Sequence, residues 1–319
     1  MKLNKIELKN IIFGAINIKE NDDYLIFRRF TDELIEYYKN TSDAFYTRSL
    51  SSAGMTMNFE TDSNFLAFNY KCYPGSSQPF FSIDVYSDDT LIFHTEKELT
   101  SEYEDSLHID LNKGTKRVTV YFSNLFGIAL KNVEFSDNAK VTPLKKERKI
   151  IFFGDSITQG YISKYPSLSY ANLVTKALNA ECLNQGIGGD CFNAENLVEN
   201  PDFNPDTVFV AYGTNDWNQG KDIEKNAKEY FDKLTVMYSY AKIYVLLPLW
   251  RGKPGLNNKM PFDKMREILN SVCKKYEALT IIDAFDFIPH YPAFFAPDIL
   301  HPNELGFIMY AKEILKCVK

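Results

Sequence analysis

Four short polar stretches hold the residue types that acyl chemistry needs. Gly154-Asp155-Ser156 supplies a hydroxyl, Gly186-Ile187-Gly188-Gly189-Asp190 a glycine-rich turn, Gly213-Thr214-Asn215-Asp216 an amide, and Asp298-Ile299-Leu300-His301-Pro302 a carboxylate and an imidazole. A serine hydroxyl attacks a carbonyl poorly unless a base takes its proton, and imidazole titrates near neutrality. A carboxylate orients such a ring and stabilises its charged form. Asp298, three residues before His301 on a turn, can reach Nδ1 and leave Nε2 for Ser156. Each stretch alone has a plainer reading, with Ser156 as a helix N-cap and Asp298 as a local turn former. Their conjunction favours nucleophilic catalysis. His290 is the rival base, but its setting is proline-rich and it has no Asp three residues earlier.

The elements that must position these stretches are legible around them. Lys149 to Phe153 is an apolar run that stops at Gly154, which predicts a buried strand ending in a tight turn. Beyond it, strand-like segments (180–184, 207–212, 242–247, 280–283) alternate with helix-like ones (170–179, 222–240, 262–276, 303–317). That alternation predicts a parallel sheet covered by helices, whose right-handed crossovers bring the polar turns to one edge. Asp155 and Asp216 are expected to accept backbone N–H bonds within those turns rather than to catalyse.

The first half reads differently. Short alternating runs (53–59, 64–71, 80–86, 90–93, 107–111, 117–122, 127–135) are separated by turn clusters such as Pro74-Gly75-Ser76-Ser77 and Asn112-Lys113-Gly114. They predict an all-β sandwich of jelly-roll type over residues 1–145, with one helical excursion near 30–40 and a polar linker at 137–149. Residues 146–319 then form the second domain. The many Tyr and Phe residues of the first half suit pleated core surfaces, with a sugar-binding face as the alternative. His94 and His108 are read as structural.

Taken in order, Gly154-Asp155-Ser156, Asn184-x-Gly186-x-x-Gly189-Asp190, Gly213-x-Asn215-Asp216 and Asp298-x-x-His301-Pro302 resemble the four blocks of the GDSL/SGNH hydrolase superfamily. The resemblance covers residues 149–319 and implies a flavodoxin-like three-layer α/β/α fold and ester hydrolysis without metal or organic cofactor. It implies Ser156 as nucleophile, His301 as general base and Asp298 as its orienting acid. The oxyanion hole would then be the Ser156 and Gly189 N–H groups with the Asn215 amide. The two-domain layout is in turn similar to family 2 carbohydrate esterases, which remove acetyl groups from xylan- or mannan-type sugars. Members of that group can work with a Ser-His pair, but Asp298 makes a full triad the simpler expectation.

Trp217 and the pair Trp250-Arg251 follow strand ends, so they are expected at the catalytic edge, the indoles supporting a sugar ring and Arg251 binding its hydroxyls. Walls of a domain interface are the alternative use of the two indoles. The substrate is expected to be a small-molecule or oligosaccharide ester; a short-chain esterase, thioesterase or lysophospholipase of the same superfamily and a non-catalytic carbohydrate-binding protein are the competing readings. Composition narrows the rest. With 36 basic and 42 acidic side chains scattered along 319 residues, net charge −6, no basic stripe exists to collect nucleic-acid phosphates. The charged amino terminus predicts no secretion, and no window has about 18 uninterrupted apolar residues to span a membrane. Five widely spaced cysteines without a Cys-x-x-Cys pair fit reduced thiols in the cytoplasm. Nothing in the sequence sets the oligomeric state.

Overall fold

The structure, a computed structural model, describes residues 1–255 and 260–318. The chain forms two compact units. The first comprises 1–147 together with 164–167 and 181–183, and the second comprises 148–163, 168–180 and the described residues from 184 onward.

In the first unit the strands are β1 (Ile12–Phe13), β2 (Asn17–Asn21), β3 (Tyr24–Arg28), β4 (Thr56–Thr61), β5 (Phe65–Pro74), β6 (Phe80–Ser87), β7 (Thr90–Glu98), β8 (Tyr103–Asp110), β9 (Lys116–Tyr121), β10 (Phe126–Phe135) and β11 (Val141–Pro143). They make two antiparallel sheets, ordered β1-β4-β9-β6-β7 with β11 on β4, and β2-β3-β10-β5-β8. Period-two burial drives this arrangement: along β5, Leu66, Phe68, Tyr70 and Cys72 point inward while their neighbours do not. Tyr70 stacks on Phe81 at 5.3 Å and Phe59 meets Phe135 edge-on at 5.2 Å, so aromatic packing dominates this core. Helices α1 (Lys5–Ile11), α2 (Asp32–Thr41) and α3 (Asp43–Ser49) complete the unit, α1 starting from a capping box between Asn4 and Glu7.

Two corrections to the sequence reading arise here. The stretch 137–149 is not a bare linker, because β11 pairs with β4 within it. The other concerns the chain path. Segment 164–167 belongs to the first unit, where Ser167 donates to the buried Asp84 through its hydroxyl at 2.6 Å and its N–H at 3.0 Å. Asp84 also holds His94 Nδ1 at 2.7 Å, and His94 stacks on Tyr165 at 4.0 Å.

The second unit contains β12 (Arg148–Gly154), α4 (Ser156–Gln159), α5 (Tyr170–Ala177), β13 (Ala180–Gly186, apart from 181–183), β14 (Thr207–Ala211), α6 (Thr214–Asn218), α7 (Ile223–Met237), β15 (Lys242–Leu247), α8 (Phe262–Cys273), β16 (Leu279–Asp283) and α9 (Glu304–Cys317). The sheet runs β13-β12-β14-β15-β16, the flavodoxin-like order, and β12, β14, β15 and β16 pair in parallel. Central position explains the unbroken apolar run of Ile150 to Phe153, which is buried on both faces. Phe152, Phe209 and Tyr244 stack across three adjacent strands at 4.9 and 5.3 Å. Helix α7 buries Ile223, Ala227, Tyr230, Phe231 and Leu234, a 3.6-residue stripe. Helices pack in pairs, α5 with α9 and α7 with α8. Among the described residues, no helix is long and apolar enough to cross a membrane.

Candidate active site

Strand β12 ends at Gly154, and Asp155 caps α4 by accepting from the Ile157 N–H at 2.9 Å. Ser156 is therefore the first residue of α4, delivered at the carboxyl end of a central strand. The turn needs glycine at 154. A Cβ there would lie 2.1 Å from Thr158 Oγ1 and 2.9 Å from the Ala211 carbonyl oxygen.

The partner of that hydroxyl comes from the loop before α9. Ser156 Oγ lies 2.8 Å from His301 Nε2, and His301 Nδ1 lies 2.6 Å from Asp298 Oδ2. The loop is closed by its own hydrogen bonds. Asp298 Oδ1 accepts from the Leu300 and His301 N–H groups at 3.0 and 3.1 Å, and the Ala296 N–H donates to the His301 carbonyl at 2.8 Å. Tyr161 packs against the imidazole, centroids 4.6 Å apart. Burial alone would raise the Asp298 pKa, but the hydrogen bond and charge of His301, with the two backbone N–H groups, outweigh it and hold the carboxyl well below the usual range. With Nδ1–H directed at Asp298, Nε2 is free to accept a proton from Ser156. His290 sits apart from this chain: it bonds the Phe285 carbonyl at 3.2 Å, pairs with Asp286 and stacks on Trp250.

The turns after β13 and β14 are laced to this one. Ile187 N–H donates to the Gly154 carbonyl at 2.9 Å, Asn184 Nδ2 to the Thr158 carbonyl at 2.7 Å, and Phe192 N–H to Asp216 at 3.2 Å. Gly189 adopts φ +85°, a conformation that glycine takes without strain. The residue before it is anchored through its own N–H, Gly188 donating to Gln159 Oε1 at 2.9 Å. Asn215 Nδ2 donates one hydrogen to the Asp190 carbonyl at 3.0 Å, and a primary amide has a second to offer. Gly189 and Asn215 are each half-buried. The positions of Gln159 and Tyr161 carried no sequence signal, since nothing in their spacing announces a side chain crossing to another turn.

Asp155 and Asp216 accept backbone N–H bonds as expected for turn formers, and Asp190 accepts from Cys191 N–H and Asn196 Nδ2. Burial, reinforced by mutual repulsion, pushes the Asp155 and Asp190 carboxyls up to about 7; burial pushes Asp216 up to about 6. Cys191 is a buried thiol whose pKa burial raises further, so it lacks thiolate character. No group of His, Cys, Asp and Glu among the described residues is arranged to hold a metal ion.

The structure corrects the expected role of Trp217. The residue is only 9% exposed, its Nε1–H donates to the Met260 carbonyl at 2.7 Å, and the Arg251 guanidinium lies 4.9 Å from the ring centroid. No open face remains for a sugar. Arg251 itself donates to Thr214 Oγ1 at 2.9 Å and to the Lys253 carbonyl at 3.0 Å. Trp250 is half-exposed, stacked parallel to His290 at 4.8 Å. It borders a small cavity of about 20 Å³ with Asp155, Ile157 and Leu300.

The fold and its laced turns define a hydrolase of the α/β/α class. Residues 152–307 match the GDSL-like lipase/acylhydrolase family, so the chain contains a domain of that family and is an ester hydrolase. Several solved structures share the whole layout. A salicylyl-acyltransferase from a tetracycline biosynthetic pathway aligns with TM-score 0.79 at 20% identity, covering 96% of this chain and 92% of that one. A family 2 carbohydrate esterase from Clostridium thermocellum, in complex with cellohexaose, aligns with TM-score 0.67 at 14% identity over 96% and 100% of the two chains. An acetyl xylan esterase from the rumen bacterium Butyrivibrio proteoclasticus gives TM-score 0.59 at 16% identity over 84% and 90%. At these identities the likeness is one of fold. Among curated protein sequences none matches the chain significantly.

Proposed function

We propose that the chain removes O-acetyl groups from carbohydrates of xylo- or manno-oligosaccharide type by a Ser156–His301–Asp298 mechanism. The observation that carries the reading is the unbroken chain from Ser156 Oγ through His301 to Asp298, at 2.8 and 2.6 Å. Ser156 attacks the ester carbonyl as His301 takes its proton, and Asp298 stabilises the imidazolium. The Ser156 and Gly189 N–H groups and the Asn215 amide receive the developing oxyanion, each such donor being worth about 3–4 kcal/mol by deletion. His301 then protonates the departing sugar oxygen. Water, activated by the same ring, releases acetate from the acyl-enzyme. Neither step calls for a metal or organic cofactor.

The cellohexaose complex of the family 2 esterase supports a carbohydrate alcohol. The test is acetate release from acetylated xylo- and manno-oligosaccharides beside a p-nitrophenyl ester series, with Ser156→Ala as control. Release should fall on the order of 10⁴–10⁶-fold in that variant. Preference for longer acyl chains would transfer the assignment to a general esterase, thioesterase or lysophospholipase; unchanged hydrolysis would leave only a carbohydrate-binding role.

Acyl transfer is a second reading, supported by the acyltransferase among the similar structures. The same acyl-enzyme would then yield to an acceptor hydroxyl. Product analysis with an added alcohol separates the two, since transfer consumes the alcohol and hydrolysis does not.

A further inference from the structure

In the first unit, the sheet β2-β3-β10-β5-β8 bears a cleft of about 570 Å³, within the range of small-ligand sites. Residue choice hollows it. Ile26 and Ala129 are paired at its floor, in the row where Ala129 also faces Lys71. Gly127 pairs with Tyr73, and a Cβ at 127 would lie 2.0 Å from the Tyr73 ring, so the glycine lets that phenol lie across the neighbouring strand. Helix α3 raises a wall with Tyr46 and Thr47.

The polar groups of the cleft are matched in charge. Arg28 donates to the Tyr73 hydroxyl, its guanidinium 4.7 Å from the ring centroid, and it makes no ion pair among the described residues. Burial lowers its pKa to about 10. Lys71 pairs with Glu102 at 2.8 Å and Lys131 with Glu104 at 3.4 Å, while the Tyr24 hydroxyl donates to Glu104. Asp22 supplies the third carboxylate, so three cations face three anions. A phosphate or acidic-peptide site would carry cations in excess. The half-buried Tyr46 phenol beside opposed donors and acceptors suits a neutral ligand. Such a ligand has hydroxyls that donate and accept together and C–H faces that lie on aromatic rings.

We propose that this cleft binds a neutral oligosaccharide, with Arg28 and the Lys71–Glu102 pair on its hydroxyls and Tyr46 against an apolar ring face. The ligand class follows from the chemistry of the cleft; the inference rests on the esterase reading only for the choice of sugars tried first.

Calorimetric titration of the full chain bearing Ser156→Ala with unacetylated xylo-, manno- and cello-oligosaccharides should give saturable binding. Adding Tyr46→Ala or Arg28→Gln should weaken it at least about tenfold. In the otherwise native chain the same two substitutions should leave p-nitrophenyl acetate hydrolysis within about twofold, so failure of the cleft and failure of the esterase reading give different patterns. Glu102→Gln, at an exposed rim position that does not endanger folding, removes one acceptor. It should weaken sugar binding without creating affinity for inorganic phosphate. Absence of oligosaccharide binding, binding indifferent to all three substitutions, or phosphate binding that tightens with Glu102→Gln would each overturn the proposal.

Discussion

Asp298 holds His301 at two places at once: Oδ2 meets ring Nδ1 at 2.6 Å while Oδ1 accepts the backbone N–H of the same residue at 3.1 Å. One carboxylate thus fixes both the position of the loop and the tautomer of the ring. Asp298→Asn keeps the shape but directs an amide hydrogen or a single oxygen at Nδ1. The expected outcome is a fall in kcat of about 10⁴-fold with little change in KM or in thermal stability, measured on p-nitrophenyl acetate. A fall below tenfold would mean that a Ser-His pair suffices.

Asn215→Ala tests the oxyanion reading separately. Loss of the amide donor should lower kcat about 10²–10³-fold while KM stays nearly constant, because the interaction strengthens only as charge develops. An effect confined to KM would assign Asn215 to ground-state binding.

Gly154→Ala should be destabilising by about 1–3 kcal/mol, because overpacking forces the surrounding backbone to move. The built Cβ meets a backbone oxygen, that of Ala211, at 2.9 Å as well as the Thr158 side chain. Urea unfolding of the variant measures this. A neutral result would show that the turn has slack that its contacts do not suggest.

The three buried aspartates make stability depend on pH in the opposite sense to the paired surface carboxylates. Their folded-state values, about 7 for Asp155 and Asp190 and about 6 for Asp216, lie above the ordinary 3.8. The folded chain therefore holds these protons where the unfolded chain has lost them. Their contribution favours folding as pH falls through 7 toward 4 and opposes it above 7. Surface carboxylates lowered by lysine partners, such as Asp32 and Asp105, contribute fully above their ordinary 3.8 and lose that contribution only below it, outside that window. Thermal unfolding should thus give a higher midpoint at pH 5 than at pH 8, and Asp155→Asn, which keeps an N-capping side chain, should flatten the difference. An unchanged slope in that variant would remove Asp155 from the account.

Much of this was legible because the second unit obeys simple periods. Lys242–Leu247 emerges as a strand with the bounds its apolar run suggests, and α9 with the Asn303 cap that begins it. The four turns were readable because glycine and short polar residues interrupt those runs. The amino-terminal 28 residues were not assigned: β2 is an exposed edge strand whose sequence, Asn-Ile-Lys-Glu-Asn, has no buried face to impose alternation. Trp217 misled for a different reason. Its place after Asn215-Asp216 is at the right edge of the sheet, but α6 turns its indole toward Met260 and Phe262. Sequence position fixes which edge a residue occupies, whereas one helical turn decides which way it looks. The buried Arg29, whose guanidinium is satisfied by the Ser51 and Arg48 carbonyls, was equally invisible, since its partners lie 19 to 22 residues away.

The path of residues 164–167 bears on how this chain can be divided. Asp84 is fully buried and needs the Ser167 hydroxyl and N–H to satisfy one of its oxygens. A fragment ending at Glu147 would leave that carboxylate without those donors and His94 without the Tyr165 ring. The first unit is therefore not a cassette that recombination or cloning can lift out at one cut; its blueprint is written in three places along the gene.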